Sequence, residues 1–200
     1  LVQNIFFRTD SSKAIGSGHV MRCLALAEKL KERKIKSTFI SRNHQGNLNS
    51  FIKNKGYKVI ELSKIKNSNH KNNWLGVADL TDAKETRDAI CNYIKSPIII
   101  DHYSIGEAWE KYLRPYVDKI IVIDDLADRK HDCDILIDQN WFLNPDTRYD
   151  KLLNFDCTKL FGPSFALLRP EFEKVRKSVV PGVNKIKSIF IFFGGTDPYN

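Results

Sequence analysis

Two runs rich in isoleucine, Pro97-Ile98-Ile99-Ile100-Asp101 and Lys119-Ile120-Ile121-Val122-Ile123-Asp124, restrict this chain to a small set of architectures. A continuous apolar run ending in a carboxylate is the pattern of a strand covered on both faces, as in a parallel sheet. Further strands are predicted over 4–8, 37–41, 57–62 and 133–138, with helices over 20–34, 49–55, 82–95, 106–114 and 169–177. This alternation predicts an α/β domain with right-handed crossovers and a mainly parallel, Rossmann-like sheet. In the first helix Val20, Cys23, Leu24, Ala27 and Leu30 share one face, while Arg22, Glu28, Lys29, Glu32 and Arg33 point elsewhere. Asp82 followed by Glu85 reads as a capping box opening the third helix, with Ala83, Ala89, Ile90 and Ile94 among its apolar positions. Residues 64–73, polar and without periodicity, read as a surface loop.

Between the first strand and the first helix lies Gly16-Ser17-Gly18-His19. A strand, glycine loop and helix in that order make a phosphate or sugar site at the carboxyl edge of a parallel sheet. The loop is neither the dinucleotide fingerprint, which needs a third glycine, nor a P-loop, since no Gly-Lys-Ser/Thr follows. His19 stands at the positive end of the helix, where unpaired N–H groups disfavour an imidazolium, so a neutral ring free to accept a proton is expected. On pattern alone the glycines serve equally as a tight turn, and the histidine as a cap or surface residue. The other candidates sit at the carboxyl ends of strands: Asp10, Asp101, His102, Tyr103, Asp124, Asp125 and Asn140. Asp124 and Asp125 read as strand-closing carboxylates that bond loop amides, and Trp74, Trp109 and Trp141 as packing residues.

Composition narrows the classes further. With 42% hydrophobic and 28% charged residues in 200, the chain has enough apolar material for a core and is not disordered. No apolar run approaches the ~20 residues of a membrane span, and no signal-peptide core precedes a cleavage site, so a soluble cytoplasmic protein with no membrane partner is expected. Cys23, Cys91, Cys133 and Cys157 are widely spaced, without metal-ligand spacing, and read as reduced thiols. The net charge of +8 is dispersed between acidic residues, which fits a solvated basic face that draws in an anionic small substrate rather than a nucleic-acid site.

Near the other end, residues 179–187 read as a linker, and 188–193 as a new buried strand leading into Gly194-Gly195-Thr196-Asp197-Pro198. The expected organisation is an amino-terminal α/β domain over 1–178 and the start of a second α/β domain from 188, cut off after Asn200. Because the chain begins at Leu1 rather than methionine, an excised piece is expected.

Several linked motifs carry a resemblance. Phe7-Arg8-Thr9-Asp10-Ser11-Ser12 with the segment from Ile15 through Gly16, Gly18, His19 and Arg22 to Cys23 resembles the amino-terminal signature of the PseG family, and further segments resemble it in order. These are Trp74-Leu75-Gly76-Val77, Asp101-His102-Tyr103, Asp124-Asp125, Cys133-Asp134-Ile135-Leu136, the segment from Gly162 to Arg169, and Phe193-Gly194-Gly195-Thr196-Asp197. The family comprises UDP-2,4-diacetamido-2,4,6-trideoxy-β-L-altropyranose hydrolases of pseudaminic acid biosynthesis and is related to the SpsG-type spore-coat polysaccharide proteins. The resemblance implies a two-domain GT-B architecture like that of MurG, with UDP bound by a second domain of the same polypeptide. It implies water and a UDP-sugar as reactants; because the sequence shows no metal-ligand set, no metal or cofactor is expected. His19 would be the catalytic base and Tyr103 an active-site hydroxyl. Asp10, Gly16, Gly18 and Arg22 would bind substrate, with Gly194, Gly195, Thr196 and Asp197 across the cleft, although these four serve equally as a turn alone. The residues themselves serve equally a glycosyltransferase using a UDP-sugar; a non-catalytic sugar-binding fragment is the lesser alternative, since His19 stands at a helix start.

Overall fold

The structure is a computed structural model that describes residues 4–64, 74–179 and 188–191. Strands β1 (Asn4–Thr9), β2 (Lys36–Arg42), β3 (Lys58–Leu62), β4 (Ile98–Asp101), β5 (Ile120–Ile123), β6 (Ile135–Asp138) and β7 (Thr158–Phe161) form one seven-stranded sheet. Its order is β3-β2-β1-β4-β5-β6-β7, and every pair is parallel. Helices α1 (Gly18–Glu32), α2 (Asn49–Asn54), α3 (Asp79–Ile90), α4 (Glu107–Leu113) and α5 (Pro170–Arg176) complete a Rossmann-like α/β fold.

Alternation along the central strands assigns the two faces. Phe6, Ile98, Ile100, Ile120, Val122 and Leu136 pack with Ala83, Ile90, Trp109 and Leu113 from α3 and α4. Phe7, Phe39, Ile99, Ile123 and Ile137 face the other way, onto Val20, Cys23, Leu24 and Ala27 of α1 and Ile52 of α2. Both faces of β4 are therefore covered, which is why its sequence is unbroken isoleucine. α1 closes in a Schellman turn, with Lys34 N–H donating to Lys31 O at 2.9 Å and Ile35 N–H to Leu30 O at 3.0 Å.

The chain winds outward from β1 through β2 to β3, then returns to place β4 on the other side of β1. The direction reverses between β1 and β4, and a crevice opens beyond their carboxyl ends, the usual ligand position in open α/β sheets. The loop to His19 leaves β1 there, and Asp101 ends β4 in register with Thr9.

Several sequence expectations are corrected. α3 starts at Asp79, with Ala78 as N-cap, so Asp82 lies inside the helix and caps nothing. The same helix stops at Ile90, not 95: Tyr93 N–H turns back to Ile90 O, Ile94 is exposed, and Ser96 Oγ donates to Ile94 O just before Pro97. β7 has no counterpart in the predicted elements, because Thr158 and Lys159 of this edge strand are exposed and its apolar signal is reduced to Leu160 and Phe161. Within the strand predicted over 188–193, residues 188–191 are irregular and Ile189, Phe190 and Ile191 are exposed. The remainder of that strand, the linker beyond Val179, the turn at Gly194, Gly195, Thr196 and Asp197, and nearly all of the loop at 64–73 lie outside the described residues.

Candidate active site

A cleft of about 440 Å³ opens over the β1/β4 crevice, lined by Gly18, His19 and Arg22 from the start of α1, with Trp74, Tyr103 and Arg169 among the residues facing them. Gly16 turns the chain into the helix at φ +81°, in the left-handed region that glycine tolerates, and its N–H donates to Ser12 O at 2.9 Å. Gly18 has open space where a side chain would begin, and Ser17 caps the helix without a side-chain hydrogen bond. The glycine loop therefore exposes the helix start to the cleft.

His19 is 6% exposed, and its Nδ1 lies 2.6 Å from Oδ1 of Asp101. An ionised carboxylate only accepts, so Nδ1 carries the proton and, in the neutral ring, Nε2 holds the lone pair. Asp101 is fully buried, and burial alone would raise its pKa. The hydrogen bonds from Arg22 and then His19, with the charge of both, outweigh this and hold the carboxyl below its ordinary range. Arg22 makes a bidentate clamp, from Nε to Oδ2 at 2.5 Å and from Nη2 to Oδ1 at 2.6 Å. Its Nη1 reaches Asp125 Oδ2 at 3.2 Å. Arg22 is thus turned into the site, not away from it: its stem leaves the flank of α1 and the guanidinium reaches the end of β4.

Tyr103 donates its hydroxyl to Asp125 Oδ1 at 2.6 Å, and Asn140 Nδ2 reaches Asp125 Oδ2 at 3.3 Å. Burial first, and then the hydrogen bond to Asp125, push the phenol pKa up, so the hydroxyl remains a donor. The Tyr103 ring stands edge-on to His19, with centroids 4.5 Å apart, and Trp74 lies 5.9 Å from His19 and 5.4 Å from Tyr103. Trp74 is a wall of the cleft, unlike Trp109, which is buried, and Trp141, which is 70% exposed.

Asp10 is not brought to this cleft. Its carboxylate is fully buried and takes Arg8 Nη1 and Nη2 at 2.7 and 2.9 Å, with the Arg42 backbone N–H at 2.7 Å. Arg8 also bonds Asp82 through Nε at 3.1 Å and Nη2 at 2.6 Å, and Arg42 joins Asp82 to Glu85. His102 lies 3.2 Å from Asp10 on this buried side. Asp124 has the expected strand-closing role, accepting from Ala127 N–H at 3.0 Å and Tyr149 Oη at 3.0 Å. Its neighbour Asp125 does not: it is the acceptor for Tyr103 and Arg22 at the cleft. Among the described residues no group of three or more His, Cys, Asp or Glu could hold a metal ion.

Comparison with known proteins bears on this arrangement. No protein-family model matches the chain. The UDP-2,4-diacetamido-2,4,6-trideoxy-beta-L-altropyranose hydrolase of Campylobacter jejuni is 32% identical over 201 residues, covering 98% of this chain and 62% of the hydrolase. This chain is homologous to that hydrolase. An uncharacterized protein of Methanocaldococcus jannaschii is 29% identical over 198 residues, covering 96% of this chain and 37% of that protein. The chain therefore spans less than two thirds of the length of the curated relatives it matches. None of the helices among the described residues is long and apolar enough to cross a membrane.

Proposed function

We propose that the protein, together with a second domain completing a GT-B-like cleft, is a cytoplasmic nucleotide-sugar hydrolase that releases UDP from UDP-2,4-diacetamido-2,4,6-trideoxy-β-L-altropyranose in pseudaminic acid biosynthesis. The observation that carries this reading is the Asp101–His19 pair at the sheet's reversal point, in a chain homologous to a hydrolase of that substrate. Water attacks the anomeric carbon from the face opposite UDP, and His19 Nε2 takes its proton. The C1–O bond breaks with its electron pair leaving on UDP, so the free sugar is formed with inverted configuration. Asp101 fixes the ring and its tautomer and balances the charge that His19 acquires. Tyr103 and Trp74 flank the ring, and Gly16, Gly18 and Arg22 shape the helix start. Gly194, Gly195, Thr196 and Asp197 are assigned to the facing wall, with backbone donors of the second domain taking the diphosphate.

The test is a proton-NMR time course of the full-length protein with this UDP-sugar, without acceptor. Release of UDP with the inverted free sugar is expected. Turnover that begins only when an organic acceptor is added would assign a glycosyltransferase instead, and an intact substrate under both conditions would reject the reading. His19→Ala should lose about 10²- to 10⁴-fold in turnover while retaining substrate binding.

A further inference from the structure

Two of the four cysteines meet. Cys133 and Cys157 are 24 residues apart in sequence, yet their sulfurs lie 3.6 Å from each other, both as free thiols. The sulfurs of a disulfide are about 2.0 Å apart, so closure brings each in by roughly 0.8 Å.

The backbone beside them is already paired. Cys133 stands two residues before β6 and Cys157 immediately before β7, and Ile135 is in register with Thr158. Thr158 N–H donates to Asp134 O at 2.9 Å. Each cysteine is thus the chain neighbour of a residue held in that hydrogen bond, so closure asks for side-chain rotation rather than movement of a strand.

The two thiols are not equivalent. β7 is an edge strand, and Cys157 lies between the exposed Asp156 and Thr158, with Phe155 exposed beside them. Cys157 is 8% exposed, Cys133 only 3%. A hydrogen bond from the Cys133 thiol lowers the pKa of Cys157 against the effect of burial, while the same contact and then burial push Cys133 up. Because the thiolate is the attacking species, Cys157 is the entering nucleophile and Cys133 the resolving thiol.

Neither sulfur belongs to the cleft. Both pack on the α3 and α4 face of the sheet, whereas Cys23, 3.6 Å from Asp101 Oδ2, packs on the other. The chain between them is the β6–β7 crossover, which holds Tyr149 Oη against Asp124 and Asp138 and Arg148 against the backbone oxygen of Asp125. A bond between the cysteines closes this crossover into a loop.

We propose that Cys133 and Cys157 are a reversible dithiol–disulfide site that clasps the β6–β7 crossover when a low-molecular-weight disulfide reaches the edge strand. The Cys157 thiolate attacks one sulfur of the oxidant, and the other sulfur leaves as a thiolate. Cys133 then gives its proton to solvent and displaces the second thiolate from Cys157. Two protein thiols are oxidised, and one disulfide is reduced to two thiols. The site is independent of the hydrolase reading.

The full-length folded protein is incubated with oxidised glutathione, quenched in acid, alkylated and digested for mass spectrometry. A peptide pair linked through Cys133 and Cys157, lighter by two hydrogens than the reduced pair, is expected, and dithiothreitol should abolish it. Cys133→Ala, which lacks the resolving thiol, should keep glutathione on Cys157. Amide hydrogen exchange across residues 139–156 should slow in the linked protein and recover on reduction. Glutathione confined to the exposed Cys91, with Cys133 and Cys157 both alkylated in the wild type, would overturn the proposal. So would a link that forms only after urea is added, or unchanged exchange across the crossover in the linked protein.

Discussion

Asp101 holds Nδ1 of His19 at 2.6 Å while Arg22 clamps both oxygens of the same carboxylate. One buried carboxylate thus ties His19 to Arg22, one turn further along the helix that carries both. Asp101→Asn removes the acceptor that fixes the Nδ1–H tautomer. Turnover of the full-length protein should fall by about 10²- to 10⁴-fold with KM little changed. Steady-state kinetics on the UDP-sugar checks this, and a variant with near-normal kcat would remove Asp101 from the proposed mechanism.

Tyr103 contributes a hydroxyl to Asp125 and a ring to the His19 and Trp74 wall. Phenylalanine keeps the ring, so Tyr103→Phe should cost about 1 kcal/mol of stability. Tyr103→Ala also loses the packing and should cost about 2–3 kcal/mol. Urea unfolding of the two variants measures the difference. Equal losses would mean that the hydroxyl, not the ring, supports the wall.

The strands of the centre were readable because Ile98 to Ile100 and Ile120 to Ile123 are covered on both sides, a condition that leaves its mark in unbroken apolar sequence. The glycine loop was readable because its local geometry is nearly all that it needs. Arg22 was drawn to the site by the resemblance alone, since helical spacing assigns the Cα to a flank while a long side chain reaches the end of β4. Asp82 mimicked a capping residue because Asp-x-x-Glu is a local pattern, whereas its partners Arg8 and Arg42 come from β1 and β2. An available signal was each arginine itself, embedded after Phe6-Phe7 and after Phe39-Ile40-Ser41 and so requiring a buried carboxylate. Asp125 offered no such sign, because nothing local distinguishes it from Asp124.

That buried network should dominate the response to substitution behind the cleft. Asp82 accepts from Arg8, Arg42 and Trp109, and both arginine side chains are fully buried. Asp82→Asn leaves their charge undercompensated and should cost about 3–5 kcal/mol. Glu85, which is partly exposed and among the described residues pairs with Arg42 alone, should cost less than about 1 kcal/mol as Glu85→Gln. Urea denaturation of both variants is the check, and equal losses would show that Asp82 is not the centre of the network.

Acid should destabilise the fold in two stages. For His102 burial is the main cause, partly opposed by Asp10, and it lowers the folded pKa below the ordinary 6.5. Between that lowered value and 6.5 the unfolded chain binds more protons, so stability is lost as pH falls through this window. Asp10, Asp82 and Asp101 are also buried, which by itself would raise them, yet the arginines bonded to them hold all three below the ordinary 3.8. Their contribution is complete above 3.8 and disappears as pH falls through the lowered folded values. Urea midpoints measured downward from pH 8 should therefore fall first near and below pH 6.5 and again below 3.8. His102→Gln should flatten the upper step and leave the lower one. An unchanged upper step in that variant would assign the titration to another histidine.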